Sequence, residues 1–320
     1  MIDQNQRDEV IRCEHLTKRY PGGILAVDKL ELTVHRGEIF GLLGPNGAGK
    51  TTTVGMLTTL TKATSGKASV GGIDVMSNPS LVKQVIGVVS QTNNLDRALN
   101  VWENLYYHGR FFGMSAKDGR QAADSSLVEF SLAERAKADV NAMSGGMARR
   151  LQVARALMHR PSVLFLDEPT AGLDPQSRIA LWEVLRWRQS EGQTILVTTH
   201  NMEEADMMCD RIAIMDHGRI LAADSPKNLK QSIDADRVVS VSATGDLGAL
   251  ATILRERVGG VTRVQQVEGA VQLHVKGVAG VLPTVVSVAE QAGFGITDLS
   301  VAEPTLETVF INLTGKELRD

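Results

Sequence analysis

Ile39-Phe40-Gly41-Leu42-Leu43-Gly44-Pro45-Asn46-Gly47-Ala48-Gly49-Lys50-Thr51-Thr52 is the stretch that decides the fold. Ile39 to Leu43 is apolar, of strand length, and free of charge, which is the pattern of a strand buried on both faces. Gly44 to Thr51 then satisfies G-x-x-x-x-G-K-[ST], and a helix is predicted to open at Lys50. A glycine loop between a strand and a helix lets the backbone fold around phosphate oxygens with its N–H groups turned inward. The helix start adds the positive end of its dipole. In that setting Lys50 would reach the β- and γ-phosphates of a nucleotide, and the Thr51 hydroxyl would take Mg²⁺.

The same architecture extends outward on both sides. Further apolar runs at Ile86–Val89, Val163–Leu166, Ile195–Thr198 and Ile212–Met215 alternate with helical patterns, so residues 1–235 read as an α/β domain with a largely parallel sheet. Val163-Leu164-Phe165-Leu166 ends in Asp167 and Glu168, two carboxylates at the carboxyl tip of a strand, where open α/β sheets bind ligands. Asp167 suits a Mg²⁺ shell, and Glu168 suits a base for an attacking water. Between about 98 and 142 no strand pattern occurs, and Asn100 with Glu103 forms the capping-box spacing of a helix start, so a helical insertion is expected there. Ser144-Gly145-Gly146 precedes another helical run, with Ser144 as N-cap and the two glycines leaving amides open to an anion.

Residues 236–320 have a different rhythm: strand, helix, two strands about the Glu268-Gly269 turn, helix, strand, then a short helix over Thr305–Thr314. This is the split pattern of a small α+β, ferredoxin-like domain. The expected boundary, at 235/236, follows the turn signal Asp224-Ser225-Pro226 and a short polar stretch.

Composition narrows the class. Hydrophobic residues make up 43% and charged residues 22% of 320, which excludes a disordered chain. The 37 acids and 34 bases give a net charge of −3, and residues 1–235 are balanced, which argues against nucleic-acid binding through bulk positive charge. Cys13 and Cys209 lack metal-ligand spacing and are expected to be core thiols of a reduced cytosolic protein. No run reaches the ~18–20 apolar residues a membrane span needs, and the first residues lack the apolar stretch of a signal peptide. Tyr106, Tyr107, Phe111 and Phe112 crowd into the insertion and are expected to form its core, with docking of a partner as the alternative.

Taken together, these residues resemble the ATP-binding cassette family over about residues 10–225. Gly44, Pro45, Asn46, Gly47, Ala48, Gly49, Lys50, Thr51 and Thr52 correspond to its Walker A loop, and Ser144, Gly145 and Gly146 to its signature loop. Asp167 and Glu168 correspond to the Walker B end and catalytic glutamate, and Ala171-Gly172-Leu173-Asp174 to the D-loop. Gln91, after Val88-Val89-Ser90, sits as the Q-loop glutamine, His200 as the switch histidine, and Tyr20 where the family stacks an aromatic on adenine. Met147 departs from the usual glutamine. Ser144 to Leu151 and the tail Glu303 to Phe310 instead resemble the branch that serves drug and antibiotic exporters, including daunorubicin-resistance-type ATPases.

The resemblance implies ATP and Mg²⁺ as cofactors, with Thr51, Gln91 and Asp167 near the metal. It implies an ATPase in which Glu168 polarises water and His200 contacts the γ-phosphate and the transition state, with Gln91 as a further catalytic residue. The site it implies is composite. Tyr20, Gly44–Thr52, Gln91 and Asp167 come from one chain, and Ser144, Gly145 and Gly146 of a second copy cover the nucleotide, with Asp174 beside them. The chain would then be a homodimer bound to a separate integral-membrane permease at the cytoplasmic face of the cell membrane, with no nucleic acid involved. The alternative is a soluble cassette protein acting on ribosomes or nucleic acid. Against it stand the single cassette, the balanced charge and the lack of a heptad run.

Overall fold

A computed structural model describes residues 9–232, 237–267, 269–275, 280–302 and 304–314. These divide into two compact units, with the division between Pro226 and Lys227. The boundary expected at 235/236 lies outside the described residues.

The first unit runs β1 (Glu9–Arg19), β2 (Leu25–His35), β3 (Ile39–Leu43), α1 (Lys50–Leu57), β4 (Ser65–Val70), β5 (Ile73–Asp74), α2 (Pro79–Val85) and β6 (Ile86–Val89). It continues with α3 (Val101–Phe111), α4 (Ala116–Glu129), α5 (Gly145–Leu157), β7 (Val163–Asp167), α6 (Pro175–Ser190), β8 (Thr194–Thr199), α7 (Met202–Met208), β9 (Arg211–Asp216) and β10 (Arg219–Asp224). The central sheet has the order β10-β9-β3-β8-β7-β6, parallel throughout except for the β9–β10 hairpin. Every residue of β3, β7 and β8 is buried, as continuous apolar strands covered on both faces must be.

A second, antiparallel sheet, β2-β1-β4-β5, was not anticipated. Its strands alternate apolar and polar residues, and β1 carries several register shifts against β2. That mixture hides both the continuous signal and the clean alternating one. α1 packs against β2, β4 and β7, burying Val54, Met56 and Leu57 in one core with Phe40, Phe165 and Leu196. The phosphate loop is thereby held from below by both sheets.

The insertion is helical, as expected. Asn100 caps α3 with both arms of a capping box: its side chain accepts from the Glu103 amide at 2.9 Å, and Glu103 accepts from the Asn100 amide at 2.9 Å. Its core is not the aromatic cluster. Val101, Leu105, Ala123, Leu127, Phe130 and Leu132 are buried, whereas Phe111 is 84% and Tyr107 52% exposed. The apolar stripe of α3 faces α4 and α5, and the aromatic positions fall on the flanks of that stripe. Cys13 and Cys209 are free and buried, and burial raises both thiol pKa values, that of Cys209 to about 12.

From Lys227 on, the second unit contains the rest of α8 (Pro226–Ser232), then β11 (Arg237–Thr244), α9 (Leu247–Arg257), β12 (Val261–Val267), β13 (Ala270–Val275), α10 (Val281–Gln291), β14 (Gly295–Ala302) and α11 (Leu306–Thr314). Its antiparallel sheet has the order β12-β13-β11-β14. Each strand-helix-strand passage therefore skips over one strand, which is the split arrangement read from the sequence. Val239, Val241, Val264, Val271, Leu273 and Val275 alternate onto one face and pack with Leu250, Leu254 and Val285 of α9 and α10. Part of the expected turn, Glu268, lies outside the described residues.

Candidate nucleotide site

The phosphate loop leaves β3 at Gly44 and enters α1 at Lys50. Gly44 has no room for a side chain: a Cβ there would stand 2.1 Å from the Met215 carbonyl oxygen. Gly47 and Gly49 adopt positive φ (83° and 106°), which turns the loop back over the start of α1. No side chain caps α1, so its first N–H groups stay available to an anion. α5 and α6 differ. Ser144 caps α5 by accepting from the Met147 amide at 3.3 Å, and Asp174 caps α6 by accepting from the Ser177 amide at 2.9 Å.

Lys50 is only 5% exposed and folds over its own loop, donating to the carbonyls of Gly44 at 2.7 Å and Pro45 at 3.1 Å. Burial lowers its pKa, and the charges of Glu168 and Asp167 oppose that shift. Glu168 gathers the other groups. Lys50 Nζ lies 3.8 Å from its Oε1, His200 Nδ1 3.2 Å from Oε1, and Gln91 Nε2 donates to Oε2 at 3.2 Å. Four sequence-separated segments thus meet at the carboxyl ends of β3, β6, β7 and β8, the end at which open α/β sheets bind ligands. Thr51 Oγ1 stands 3.4 Å from Asp167 Oδ1, so two hard oxygens face each other beside the loop, which suits a divalent cation of the Mg²⁺ type. The Tyr20 hydroxyl lies 3.5 Å from Thr52 Oγ1, which puts the ring at the rim of the same loop.

Ser144, Gly145 and Asp174 make no hydrogen bond to this group among the described residues. The two signature glycines have different reasons. A Cβ on Gly146 would meet Ser177 Oγ at 2.2 Å, so its smallness lets α5 pass α6. A Cβ on Gly145 would meet nothing closer than Leu173 at 3.9 Å, so its surroundings are open.

Two residues escaped the sequence reading. Thr198 Oγ1 donates to Asp167 Oδ1 at 2.5 Å and accepts from the Glu168 amide at 3.0 Å, tying the Asp167 carboxylate to the Glu168 backbone. Glu168 itself has φ of 46°, in the left-handed region, a strained position at a carboxylate that gathers three partners. Arg149 lies buried behind the site and donates to the carbonyls of Ser90, Gln91 and Glu168. A side chain that acts through distant backbone oxygens leaves no local motif, so no sequence signal pointed to either residue.

Comparison with known proteins identifies the family. The family described as "ABC transporter" matches residues 27–171, and that described as "ATP-binding protein DrrA1-3-like, C-terminal domain" matches residues 225–314. "Daunorubicin resistance ATP-binding protein DrrA2" of Streptomyces coeruleorubidus is 38% identical over 95% of this chain and 95% of its own. "Nod factor export ATP-binding protein I" of Ralstonia nicotianae is 41% identical over 97% of this chain and 95% of its own. Among solved structures, the ATP-binding cassette MJ0796, in a dimeric post-hydrolysis state bound to ADP and Pi, superposes with a TM-score of 0.62. That match has 27% identity and covers 67% of this chain and 98% of that one. With near full-length relatives and a phosphate loop, tip carboxylates and signature helix in family order, the chain belongs to the ATP-binding cassette transporter family and is an ATP-binding, ATP-hydrolysing protein of it.

Proposed function

We propose that this chain powers a membrane exporter by closing as a homodimer around two ATP molecules, each held between the phosphate loop of one copy and the signature helix of the other. The observation that carries the reading is the division of the site. Lys50, Thr51, Gln91, Asp167, Glu168 and His200 converge, while Ser144 and Gly145 stand apart with an open approach at Gly145. A helix start that Ser144 caps only at Met147, with open space at Gly145, suits the nucleotide of a second copy.

In this reading Tyr20 stacks on adenine, Gly44 to Thr52 cradle the phosphates, and Lys50 leaves its loop carbonyls for the β- and γ-phosphates. Thr51, Asp167 and Gln91 would hold Mg²⁺, which would supply charge neutralisation for the phosphates. Glu168 orients the attacking water and takes its proton, and His200 contacts the γ-phosphate. Ser144, Gly145 and Gly146 of the second copy close over that phosphate, with Asp174 at the seam.

Export is supported by the names of near full-length relatives, one a resistance protein and one an export protein. No helix of the described residues is long and apolar enough to cross a membrane, which supports a separate permease, with this chain bound at the cytoplasmic face of the cell membrane. A groove of about 960 Å³ bordered by Leu60, Lys83, His108, Phe111, Arg155 and His159 is the surface we assign to the permease's short helices. The test is to hold tagged Glu168→Gln with Mg-ATP and identify what co-purifies from detergent-solubilised membranes. Enrichment of one multi-spanning protein is the expected result. Ribosomes or nucleic acid without a membrane protein would overturn the reading.

A further inference from the structure

Arg149 is a cation in a place that packing alone does not explain. It lies in the second turn of α5 and is 6% exposed. Nη1 donates to the Ser90 carbonyl at 2.7 Å and to Gln152 Oε1 at 3.1 Å, and Nη2 donates to the carbonyls of Gln91 at 3.4 Å and Glu168 at 3.3 Å. All four acceptors are neutral oxygens. Removing a guanidinium from water is costly unless its donors are satisfied, and an apolar side chain of similar volume would fill the space without that cost. The planar fork does what an apolar residue cannot, because it joins three segments at once.

Those segments are the ones that would sense a γ-phosphate. Ser90 and Gln91 follow β6, and Glu168 follows β7. The Glu168 amide donates to Thr198 while its carbonyl accepts from Arg149, so both sides of this left-handed residue are held. Ser144, the cap of α5, lies on the same helix little more than one turn from Arg149. A shift of Gln91 or Glu168 is therefore carried directly to the helix start that is offered to the partner.

We propose that Arg149 is a positioning residue that couples the two ATP sites of the dimer, transmitting the state of a chain's own Gln91 and Glu168 to the α5 start that covers the partner's nucleotide. This rests on the composite dimer proposed above. It assigns Arg149 no contact with ATP, and the link runs through backbone carbonyls.

The experiment uses the full chain. ATP-driven dimerisation is followed in the Glu168→Gln background, nucleotide affinity is read at protein concentrations too low for dimers, and thermal unfolding serves as a fold control. With Arg149→Met, monomer affinity should stay within about threefold, while the ATP concentration for half-maximal dimer should rise roughly tenfold or more. Arg149→Lys, whose single ammonium cannot span the four oxygens, should fall between the two. An unchanged dimer midpoint would overturn the coupling and confine Arg149 to its own site. A parallel loss of monomer affinity and melting temperature would make its role structural. Should both Arg149 variants fail to fold, Gln152→Met decides. It removes one acceptor of Arg149 together with the Gln152 hydrogen bonds to Thr92 and Asn93, and should shift the midpoint the same way by about threefold. No shift there would sink the proposal. A Glu168→Gln parent that does not dimerise with ATP overturns the composite dimer itself, an outcome visible before Arg149 is touched.

Discussion

The two units solve the problem of a sheet differently. In the nucleotide unit β3, β7 and β8 are buried on both faces, so their side chains are spent on packing and polar chemistry is confined to the strand tips. In the C-terminal unit the strands alternate. Val239 and Val241 face the helices, while Ser240 pairs with Gln272 on one side and Ser300 on the other. The first arrangement concentrates carboxylates, a strained backbone and a buried lysine at one edge of the sheet. The second spreads polar groups over a face of the sheet. A fully buried parallel sheet makes a site because it leaves only its ends free.

The sharpest break of that contrast is Gly44→Ala. A Cβ 2.1 Å from the Met215 carbonyl forces the loop off the sheet, so ATP binding should be lost and stability should fall by about 3 kcal/mol or more, checked by nucleotide titration and thermal unfolding. Leu273→Ala should cost the C-terminal unit about 3 kcal/mol through a cavity in its single core, while nucleotide affinity changes less than about twofold. A matching loss of affinity would contradict the separation of the two units. Glu168→Gln should keep ATP binding while phosphate release slows at least about tenfold. Retained turnover would remove Glu168 as the base.

A smaller effect concerns pH. Burial first, then the charges of Arg155 and His159, lower the His108 pKa to about 4. The unfolded chain binds this proton near pH 6.5 and the folded chain does not, so the contribution of neutral His108 is present above pH 6.5 and is lost as pH falls toward 4. Between pH 7 and 5 the loss should be about 2 kcal/mol, and His108→Phe should flatten that part of the stability–pH curve. The smallest effect is expected at Gly145→Ala, where the nearest atom is 3.9 Å away. Stability should stay within about 0.5 kcal/mol while ATP-driven dimerisation weakens, measured side by side with Gly44→Ala.

How much was legible follows from how far apart the cooperating residues lie. The phosphate loop and the Asp167-Glu168 tip are contiguous, and their chemistry depends on a short run of backbone, so residue types alone point to them. The C-terminal strands were legible because one-sided burial writes a period of two into the chain. β1 and β2 were not, because register shifts and charged outer faces erase that period. Phe111 and Tyr107 were misread as core because hydrophobicity states a preference for burial but not which flank of a helix meets its neighbours.

Sequence by itself determined the phosphate loop, the tip carboxylates, the helix caps at Asn100 and Ser144 and the alternating second unit, since each is a local matter of backbone freedom, capping geometry or periodicity. Only the tertiary structure decided that Gln91, His200 and Lys50 converge on Glu168, that Thr198 ties the Asp167 carboxylate to the Glu168 backbone, and that Arg149 ties α5 to that backbone. Those contacts join segments far apart in the chain, and their geometry is set by how strands and helices pack rather than by any run of neighbouring residues.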